Sequence, residues 1–295
     1  MNFKGLSRSL RVKIMLIVLS IVVFSIGIVT VISIYSMQAQ MERQITEKQM
    51  LLAESFAEFV QQFFNDAAGM VKAAARLPDV RNMVLSSSLI SEDYKGVSEG
   101  MDFIKRETLR NLINDYGNFS YMQQVIPSGI NMLIEPYEYQ SNLREMDMSN
   151  YDWFKGAVSK MDSHISEVFL CPSMQQPVVA FSHPLTNDID GQLVGVLMGA
   201  MTLERLNNLC AELTFGETGY AYLVDQRGAC AAHLDEQLTS NITSLVDIPM
   251  VQKVMARESG VGRYYDPKSG KEIFSAFQPI GETGWGLIVV QDLEE

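Results

Sequence analysis

Few side chains in this sequence have the types and spacing that catalysis, metal binding or ligand binding requires. Two adjacent aromatic residues, Trp153 and Phe154, open a short helical stretch and could line a small cavity. Neighbouring side chains on a helix point about 100° apart, and membership of both residues in the core is the favoured interpretation. His183 precedes Pro184 at the end of a β-type run, where its imidazole could face the same cavity. The alternative interpretation is that these side chains line a small-molecule pocket.

The sequence lacks the patterns that mark catalytic and metal centres. It contains no GxSxG elbow, no glycine-rich phosphate loop and no HExxH pair. His233, at a strand end beside Asp235, is expected to be a hydrogen-bonded structural residue. The cysteines have no metal-ligand spacing, and we expect all of them to fill apolar positions. They are Cys171, Cys210 and Cys230. The sequence therefore predicts a protein that is not an enzyme and that holds no metal and no cofactor.

Charge is distributed unevenly along the chain. The first 13 residues contain four basic side chains and no acid, whereas the whole chain has a formal net charge of -12. Nucleic-acid binding needs clustered Lys and Arg, so the acidic body excludes nucleic acid as a partner. The same charge is compatible with a cationic or neutral ligand.

The stretch Ser149–Arg205 contains the elements that would position Trp153 and Phe154. Its helical segment is followed by three β-type runs, each closed by turn residues. These runs are Ile165–Phe169, Pro177–His183 and Leu193–Met201. A helix at about Met101–Tyr116, two short strands and the aperiodic segment Glu135–Asn150 precede them, and a segment of that kind is typical of a functional loop. The short strands are Tyr121–Val125 and Asn131–Ile134. We expect an antiparallel sheet that walls a pocket.

A smaller unit with the same plan follows. A linking helix at Leu203–Leu213 and a turn at Gly216–Gly219 lead into a hairpin, and a helix near Ile248–Arg257 separates it from three more strands. The strands are Tyr220–Val224, Ala229–His233, Gly260–Tyr265, Lys271–Gln278 and Trp285–Gln291. Tyr220 and Trp285 are interpreted as structural. The order of elements predicts two similar lobes.

The segment Ile14–Tyr35 is uncharged and largely apolar. As a helix it is long enough to cross ~30 Å of hydrocarbon. A signal peptide is the alternative, but the run exceeds the ~7–15 apolar residues of such peptides and lacks a small-x-small cleavage site. The basic residues before it place the N-terminus in the cytoplasm and everything after Ser36 outside the membrane. We therefore predict an uncleaved single span in the inner (plasma) membrane with a periplasmic body.

A long amphipathic helix is predicted from Gln38 to about Arg76, where Pro78 ends it. Its apolar residues recur mostly three or four positions apart. They are Met41, Ile45, Leu52, Phe56, Phe59, Phe63, Ala67, Met70 and Ala74. At ~1.5 Å per residue the helix would be roughly 55–60 Å long, which favours a stalk. Its amphipathic length predicts a homodimer. A second helical stretch, Val80–Leu85, follows.

Four segments carry the resemblance to a known family. Gly216–His233 reads GETGYAYLVDQRGACAAH, similar to GxTGYxYLxDxxGxxxxH, and Gly191–Leu206 reads GQLVGVLMGAMTLERL, similar to GxLxGVxGxDIxLxxL. Tyr151–Ala157 (YDWFKGA) resembles RxWYxxA, and the closing GETGWGLIVVQDLEE contains the GWGLVV pattern. In this order the segments resemble the double-Cache (dCache) sensor domain of bacterial chemoreceptors and sensor kinases.

The resemblance implies two PAS-like lobes on one long helix, with the ligand in the membrane-distal lobe. In amino-acid-binding members an Arg holds the ligand carboxylate and an Asp holds its ammonium group. Tyr151 and Met201 occupy those positions here, Met146 replaces a Tyr, and only Trp153 and Phe154 keep the pattern. A buried carboxylate or ammonium without a partner costs several kcal/mol. We therefore expect that ordinary α-amino acids are not recognised in that way.

A less polar or differently charged small molecule is the predicted ligand. Phe169 joins the candidate contacts because it ends the strand next to the helix. The full set of predicted ligand-binding residues is Tyr151, Trp153, Phe154, Phe169, Met201 and His183.

The predicted fold class is α+β, with an N-terminal transmembrane helix, a long stalk helix and two PAS-like antiparallel-sheet lobes. The predicted segments are a cytoplasmic N-terminus at 1–13, a transmembrane helix at 14–36, the stalk at 37–78, the distal lobe at 79–203 and the proximal lobe at 204–295.

The predicted function is small-molecule sensing outside the membrane for a bacterial receptor, with a methyl-accepting chemotaxis protein as the favoured type. The alternatives are the sensor region of a histidine kinase or of a cyclic-dinucleotide enzyme, a tethered binding protein without an output domain, and an enzyme of the outer face. A receptor requires a second span and an output domain beyond Glu295. A chain that ends there would be a tethered binding protein.

Overall fold

The computed structural model describes residues 10–83, 87–214, 218–266 and 270–292. The predicted turn at Gly216–Gly219 and the end of the predicted helix Val80–Leu85 lie outside these ranges. The chain divides into two units, Met1–Gln49 and Met50–Glu295. The predicted α+β class, with a long helix and two antiparallel sheets, is confirmed.

The first helix, α1, extends over Leu10–Ala75. Within the first unit, its segment Lys13–Met37 is long and apolar enough to cross a membrane, and none of that segment is buried in the protein. No proline or charged residue interrupts positions 14–36, which is what an uninterrupted apolar helix requires.

In the second unit, the rest of α1 buries a stripe of mostly small side chains at spacings of three and four. The stripe consists of Ala53, Ala57, Val60, Phe64, Ala67, Val71 and Ala74. Of the predicted apolar positions, Ala67 and Ala74 belong to this stripe, whereas Phe59 is 46% exposed and Met41 and Ile45 are also exposed. Small side chains at the contact let the helix lie close to its neighbours, and the larger aromatic residues flank it. Helix α1 ends at Ala75, one residue before the predicted end, and Pro78 lies in the first turn of α2 (Pro78–Arg81).

The distal sheet has six strands: β1 (Tyr121–Val125), β2 (Asn131–Glu135), β3 (His164–Ile165), β4 (Phe169–Leu170), β5 (Pro177–Thr186) and β6 (Leu193–Thr202). Their order is β2-β1-β6-β5-β3, with β4 also paired to β5, and all pairs are antiparallel. The predicted run Ile165–Phe169 is thus two short strands separated by residues 166–168. The helices are α3 (Phe103–Tyr116), α4 (Tyr137–Ser141) and α5 (Asp152–Lys160). Helix α4 lies in the segment predicted as an aperiodic loop.

The proximal sheet has five strands: β7 (Tyr220–Val224), β8 (Cys230–Ala232), β9 (Gly260–Asp266), β10 (Lys271–Pro279) and β11 (Gly286–Asp292). Their order is β8-β7-β11-β10-β9. Helix α6 (Leu203–Ala211) links the two sheets along the chain, and α7 (Glu236–Ser240) and α8 (Pro249–Met255) lie between β8 and β9. Helix α7 was not predicted from the sequence.

Each sheet separates two apolar clusters, because successive side chains of a strand point to opposite faces. One cluster joins α1 to the face of each sheet that we call the inner face. On α1, Phe64 contacts Phe181 of the distal sheet and Trp285 of the proximal lobe, with ring centroids 5.7 and 5.1 Å apart. A second cluster covers the outer face of the distal sheet, with α5. A third covers the outer face of the proximal sheet, with α8.

A buried carboxylate also joins the two lobes. Asp225, in the turn after β7, accepts a hydrogen bond from the backbone N–H of Val168 in the distal lobe at 2.9 Å. Its other oxygen accepts from the backbone N–H groups of Arg227 and Ala229. The guanidinium of Arg227 donates to the Val168 carbonyl at 2.6 Å and pairs with Glu167 at 2.8 Å. The segment between β3 and β4 is therefore fixed to the proximal lobe.

Candidate ligand-binding site

The predicted aromatic pair lies on the outer face of the distal sheet. Trp153 and Phe154 are both buried in the same cluster, with ring centroids 6.0 Å apart and planes at 89°. The interpretation of both as core residues is confirmed. The Ser182 hydroxyl donates to the Trp153 carbonyl at 2.7 Å and so fixes the first turn of α5 to β5. These two rings form the floor of the candidate site.

Glycine 156 allows α5 to lie directly on a histidine. A Cβ atom at Gly156 would clash with the His164 ring, so only glycine fits there. The Nε2 atom of His164 lies 2.8 Å from the Asp152 carboxylate, which also accepts from the Glu167 backbone N–H at 3.1 Å. Burial alone would raise the pKa of Asp152, but the hydrogen bond and the charge of His164 hold that pKa below its usual value. This contact ties the start of α5 to the segment that precedes Phe169.

The rim of the candidate site is formed by Tyr151 and Phe169. Both are half-buried, and their rings meet edge to face with centroids 5.6 Å apart. The Tyr151 hydroxyl donates to Glu145 at 3.0 Å. Burial, followed by this hydrogen bond, raises the pKa of Tyr151 to about 12. At neutral pH the rim therefore presents a neutral phenol beside a carboxylate.

Sequence reasoning missed a second aromatic pair on the same face. Tyr121 on β1 and Tyr139 on α4 have ring centroids 5.5 Å apart. The Tyr121 hydroxyl lies 3.2 Å from the Sγ atom of Cys171, and burial raises the pKa of Tyr121 well above its usual value. The alternation of the correctly predicted strand Tyr121–Val125 was a signal for Tyr121. Tyr139 lies in the segment predicted as a loop, and the sequence contains no pattern that points to it.

Two predicted contact residues lie on the other face of the sheet. Met201 packs in the cluster with α1, and its neighbour Ala200 lies on the outer face. His183 is also on the inner face, where its Nδ1 atom is 2.9 Å from the Ser163 hydroxyl. Neither residue therefore lies with the outer-face rings, because a difference of one residue along a strand reverses the face of the side chain. The outer-face position of that part of β6 is the apolar Ala200.

The arrangement is suited to binding and offers no constellation for catalysis among the groups described above. The polar partners of the outer-face rings are the Glu145 carboxylate and the Cys171 thiol. Within the described ranges, no group of three or more His, Cys, Asp or Glu side chains is placed to hold a metal ion. In the proximal lobe His233 has the predicted structural bond, since its Nδ1 atom accepts from the Asp235 N–H at 2.9 Å.

Solved structures share this fold. The ligand-binding domain of the Pseudomonas aeruginosa amino acid chemoreceptor PctB, in complex with L-Arg, has a TM-score of 0.62 and 17% identity, covering 85% of this chain and 97% of that domain. The ligand-binding domain of the Pseudomonas fluorescens chemoreceptor CtaA, in complex with L-serine, has a TM-score of 0.63 and 19% identity, covering 86% and 100%. The extracellular domain of a protein named as histidine kinase mmHK1S-Z2 has a TM-score of 0.60 and 12% identity, covering 84% and 97%. Because these identities are low, the similarity shows that this chain and the solved domains share a fold.

The sequence comparisons agree with the fold. The methyl-accepting chemotaxis protein PctB of Pseudomonas aeruginosa is 27% identical over 92 residues, which are 31% of this chain and 14% of that relative. The match thus spans a small part of the relative's length. The family described as Cache domain (dCache_1) matches residues 37–295, well over half of the chain. The chain therefore belongs to the dCache_1 family of Cache domains.

Proposed function

We propose that this chain is the extracytoplasmic sensing region of a bacterial transmembrane receptor of the methyl-accepting chemotaxis type. The observation that carries the proposal is the family match over residues 37–295, directly after the apolar helix segment Lys13–Met37. A relative named as a methyl-accepting chemotaxis protein supports the receptor type. A small molecule binds in the distal lobe, and the receptor responds through the resulting change of conformation.

The proposed ligand carries no carboxylate. An anionic group needs a basic partner in a desolvated site, and the rim instead presents Tyr151 bonded to Glu145. A zwitterion carries the same carboxylate, so a partner for its ammonium group alone would not suffice. Aromatic faces beside a carboxylate favour a neutral molecule or a small organic cation with an apolar body.

The ligand would enter between Tyr151 and Phe169. These two rings touch each other in this structure and are half-buried, whereas Trp153 and Phe154 below them are buried. Binding would therefore separate the rim pair and leave the floor in place. Phe169 begins β4, directly after Val168, which Asp225 and Arg227 hold. Movement of Phe169 would thus act on the proximal lobe.

A matched series of ligands tests the proposal. The full chain in lipid nanodiscs is heated with isoamylamine, isoamyl alcohol, isovalerate or leucine, which share one branched body and differ in charge. We expect the amine or the alcohol to raise the melting temperature and isovalerate and leucine to have no effect. Tyr151→Ala should abolish the shift, and His183→Gln on the inner face should keep it. Stabilisation by leucine equal to that by the amine and the alcohol would contradict the proposal.

The sensor region of a histidine kinase is the second candidate. The similarity to the extracellular domain named as histidine kinase mmHK1S-Z2 favours it, because the same fold occurs there. The gene downstream of codon 295 separates the candidates. A second apolar span followed by a long helical signalling domain supports the chemotaxis receptor, and a kinase domain supports the alternative. A stop codon without a second span would contradict both and favour a tethered binding protein.

A further inference from the structure

A second cavity lies in the proximal lobe, on the outer face of its sheet. Its volume is about 120 Å³, and it lies between strands β7, β9, β10 and β11 and the segment 238–250. The walls are formed mainly by aromatic and aliphatic side chains, among them Tyr220, Tyr222, Tyr264 and Ile273. The described lining contains no Asp, Glu, Lys or Arg side chain, and it includes His233, whose Nδ1 atom accepts the Asp235 N–H. Its chemistry suits an uncharged occupant.

One polar group in this wall is buried without a partner. Ser275 of β10 is 2% exposed, and its hydroxyl has no hydrogen-bond partner among the described residues. Its strand neighbours are Gly262 on β9 and Val290 on β11, so it lies at the centre of the cavity floor. A buried hydroxyl without a partner is costly, and a side chain of similar size without a hydroxyl would avoid that cost.

The outer face of the proximal sheet around Ser275 is mainly apolar. Ile273 and Phe277, the neighbours of Ser275 on the same face of β10, pack in the apolar cluster on the outer face of the proximal sheet, with Val224 and Ile288. Packing alone gives no reason for a hydroxyl at this position. A ligand that brings a hydroxyl or carbonyl group to Ser275 would satisfy it and would fill the apolar space with the rest of its body.

We propose that this cavity is a second small-molecule site, which takes a neutral ligand of about the size of benzene with one hydroxyl or carbonyl group bonded to Ser275. A dry apolar cavity of roughly 150 Å³ accommodates benzene in a well-studied protein, so the volume here fits a single six-membered ring. The site is separate from the distal site, which lies on the other sheet. Tyr220, interpreted as purely structural from the sequence, then lines a ligand site.

Phenol and toluene test this site as a matched pair, since they have similar size and only phenol has a hydroxyl. Their binding to the full chain in lipid nanodiscs is measured by ligand-observed NMR titration. We expect both to bind, and Ser275→Ala to weaken phenol by about 5–10-fold without weakening toluene. Val290→Phe, which fills the cavity opposite Ser275, should abolish the binding of both.

Controls separate this site from the distal one. Tyr151→Ala should leave the affinity for phenol unchanged, so that failure of the distal proposal and failure of this one give different results. Loss of phenol binding in Tyr151→Ala would overturn the second site. So would an equal effect of Ser275→Ala on both probes, or no binding of either probe to the unaltered chain. If Val290→Phe does not fold, the comparison of phenol with toluene in Ser275→Ala still decides.

Discussion

Arg106 and Glu135 bring opposite charges into the interior of the distal lobe. Arg106 is 2% exposed and Glu135 is fully buried, with 2.6 Å between the guanidinium and the carboxylate. Arg106 also donates to the carbonyls of Val97 and Ile134 and to the side chain of Gln140. A buried charge is tolerated when its partners satisfy it in this way. The network joins α3, β2 and α4.

Arg106→Met should destabilise the protein by about 3–5 kcal/mol, because it removes the buried partner of the Glu135 carboxylate and with it a donor to the Val97 and Ile134 carbonyls. Urea unfolding of the full chain in nanodiscs measures the difference. Arg110→Met is the matched control, since Arg110 bonds the same carboxylate at 3.0 Å from a largely exposed position. The control should cost under about 1 kcal/mol. Equal costs for the two variants would show that burial of Arg106 does not matter.

His183 makes stability depend on pH. Burial, then the nearby positive charge of Lys72 and Arg76, lowers the pKa of His183 below its usual 6.5, while Asp162 opposes the shift. The neutral form is therefore favoured in the folded state. The stability that neutral His183 contributes is therefore fully present above pH 6.5, its usual pKa. It is lost as the pH falls through the lower pKa of the folded state.

The melting temperature should accordingly fall between pH 7 and pH 5 by more in the unaltered protein than in His183→Asn. Asparagine keeps a group that can bond Ser163 and removes the titration, and other titrating groups cancel in the difference between the two curves. Parallel curves over this interval would contradict the prediction. Differential scanning calorimetry provides the measurement.

The sequence predicts which residue types form the site, but it does not fix the face of the distal sheet on which every one of them lies. Trp153, Phe154 and Phe169 share the outer cluster as expected, because a helix and a strand next to each other in sequence bring them together. Met201, placed by the resemblance, and His183, placed by its position at a strand end, lie on the inner face, because a local pattern identifies a strand without showing which face each side chain takes. Tyr139 could not be found, because its helix has only five residues and no periodic pattern.

At the scale of elements, the hairpin turn after β7 holds the segment between β3 and β4. Asp225 is fully buried and accepts the Val168 N–H, while Arg227 holds the Val168 carbonyl. Two side chains of one turn thus bind the backbone N–H and the backbone carbonyl of a single residue, Val168, in the other lobe. Phe169 of the distal rim follows directly. This contact joins the proposed distal site to the proximal sheet.

Asp225→Asn should accelerate hydrogen exchange of the Val168 amide by about tenfold or more, because an amide is a weaker acceptor than a buried carboxylate. Mass spectrometry of peptic peptides that contain Val168 measures the rate. The control is Glu167→Gln, which removes only the partly exposed pair with Arg227 and should change the rate by about twofold. An unchanged rate in Asp225→Asn would show that the contact does not hold this segment.

The sequence predicted strands well where local patterns define them and poorly where a distant contact does. Strands Tyr121–Val125 and Tyr220–Val224 have the predicted bounds, since alternation and turn residues define both ends. The run Ile165–Phe169 was predicted as one strand, but its centre binds the other lobe through Val168 instead of a neighbouring strand. Such a contact depends on residues far away in the chain, and a local pattern does not contain it.

At the scale of the whole molecule, we predict a homodimer through the helix surface predicted at Gln38–Arg76. Leu51 is 65% exposed on α1, although its side chain is apolar. An amphipathic helix with apolar residues on a face that its own lobes leave exposed is suited to pairing with a second copy. The native cysteines are buried, so an introduced cysteine can be oxidised selectively.

Leu51→Cys should form a disulfide-linked dimer when membranes that contain the full chain are oxidised. Ile189→Cys, at a position 94% exposed in the turn between β5 and β6, is the control and should remain monomeric. Gel electrophoresis without reductant distinguishes the two states. Monomer alone in Leu51→Cys, or equal cross-linking of both variants, would count against a dimer through this surface.

The position of α1 on the inner faces limits what the helix can detect. Phe64 contacts Phe181 and Trp285, and in each lobe a layer of β-strands separates it from the outer face where a ligand would bind. A ligand on an outer face would therefore act on the helix through side chains of the inner faces, among them Phe181 and Trp285, and not by direct contact. Unrelated compounds that move the rings equally would give the same response. The outer faces could thus change their chemical preference during evolution without any change in the helix that reads them.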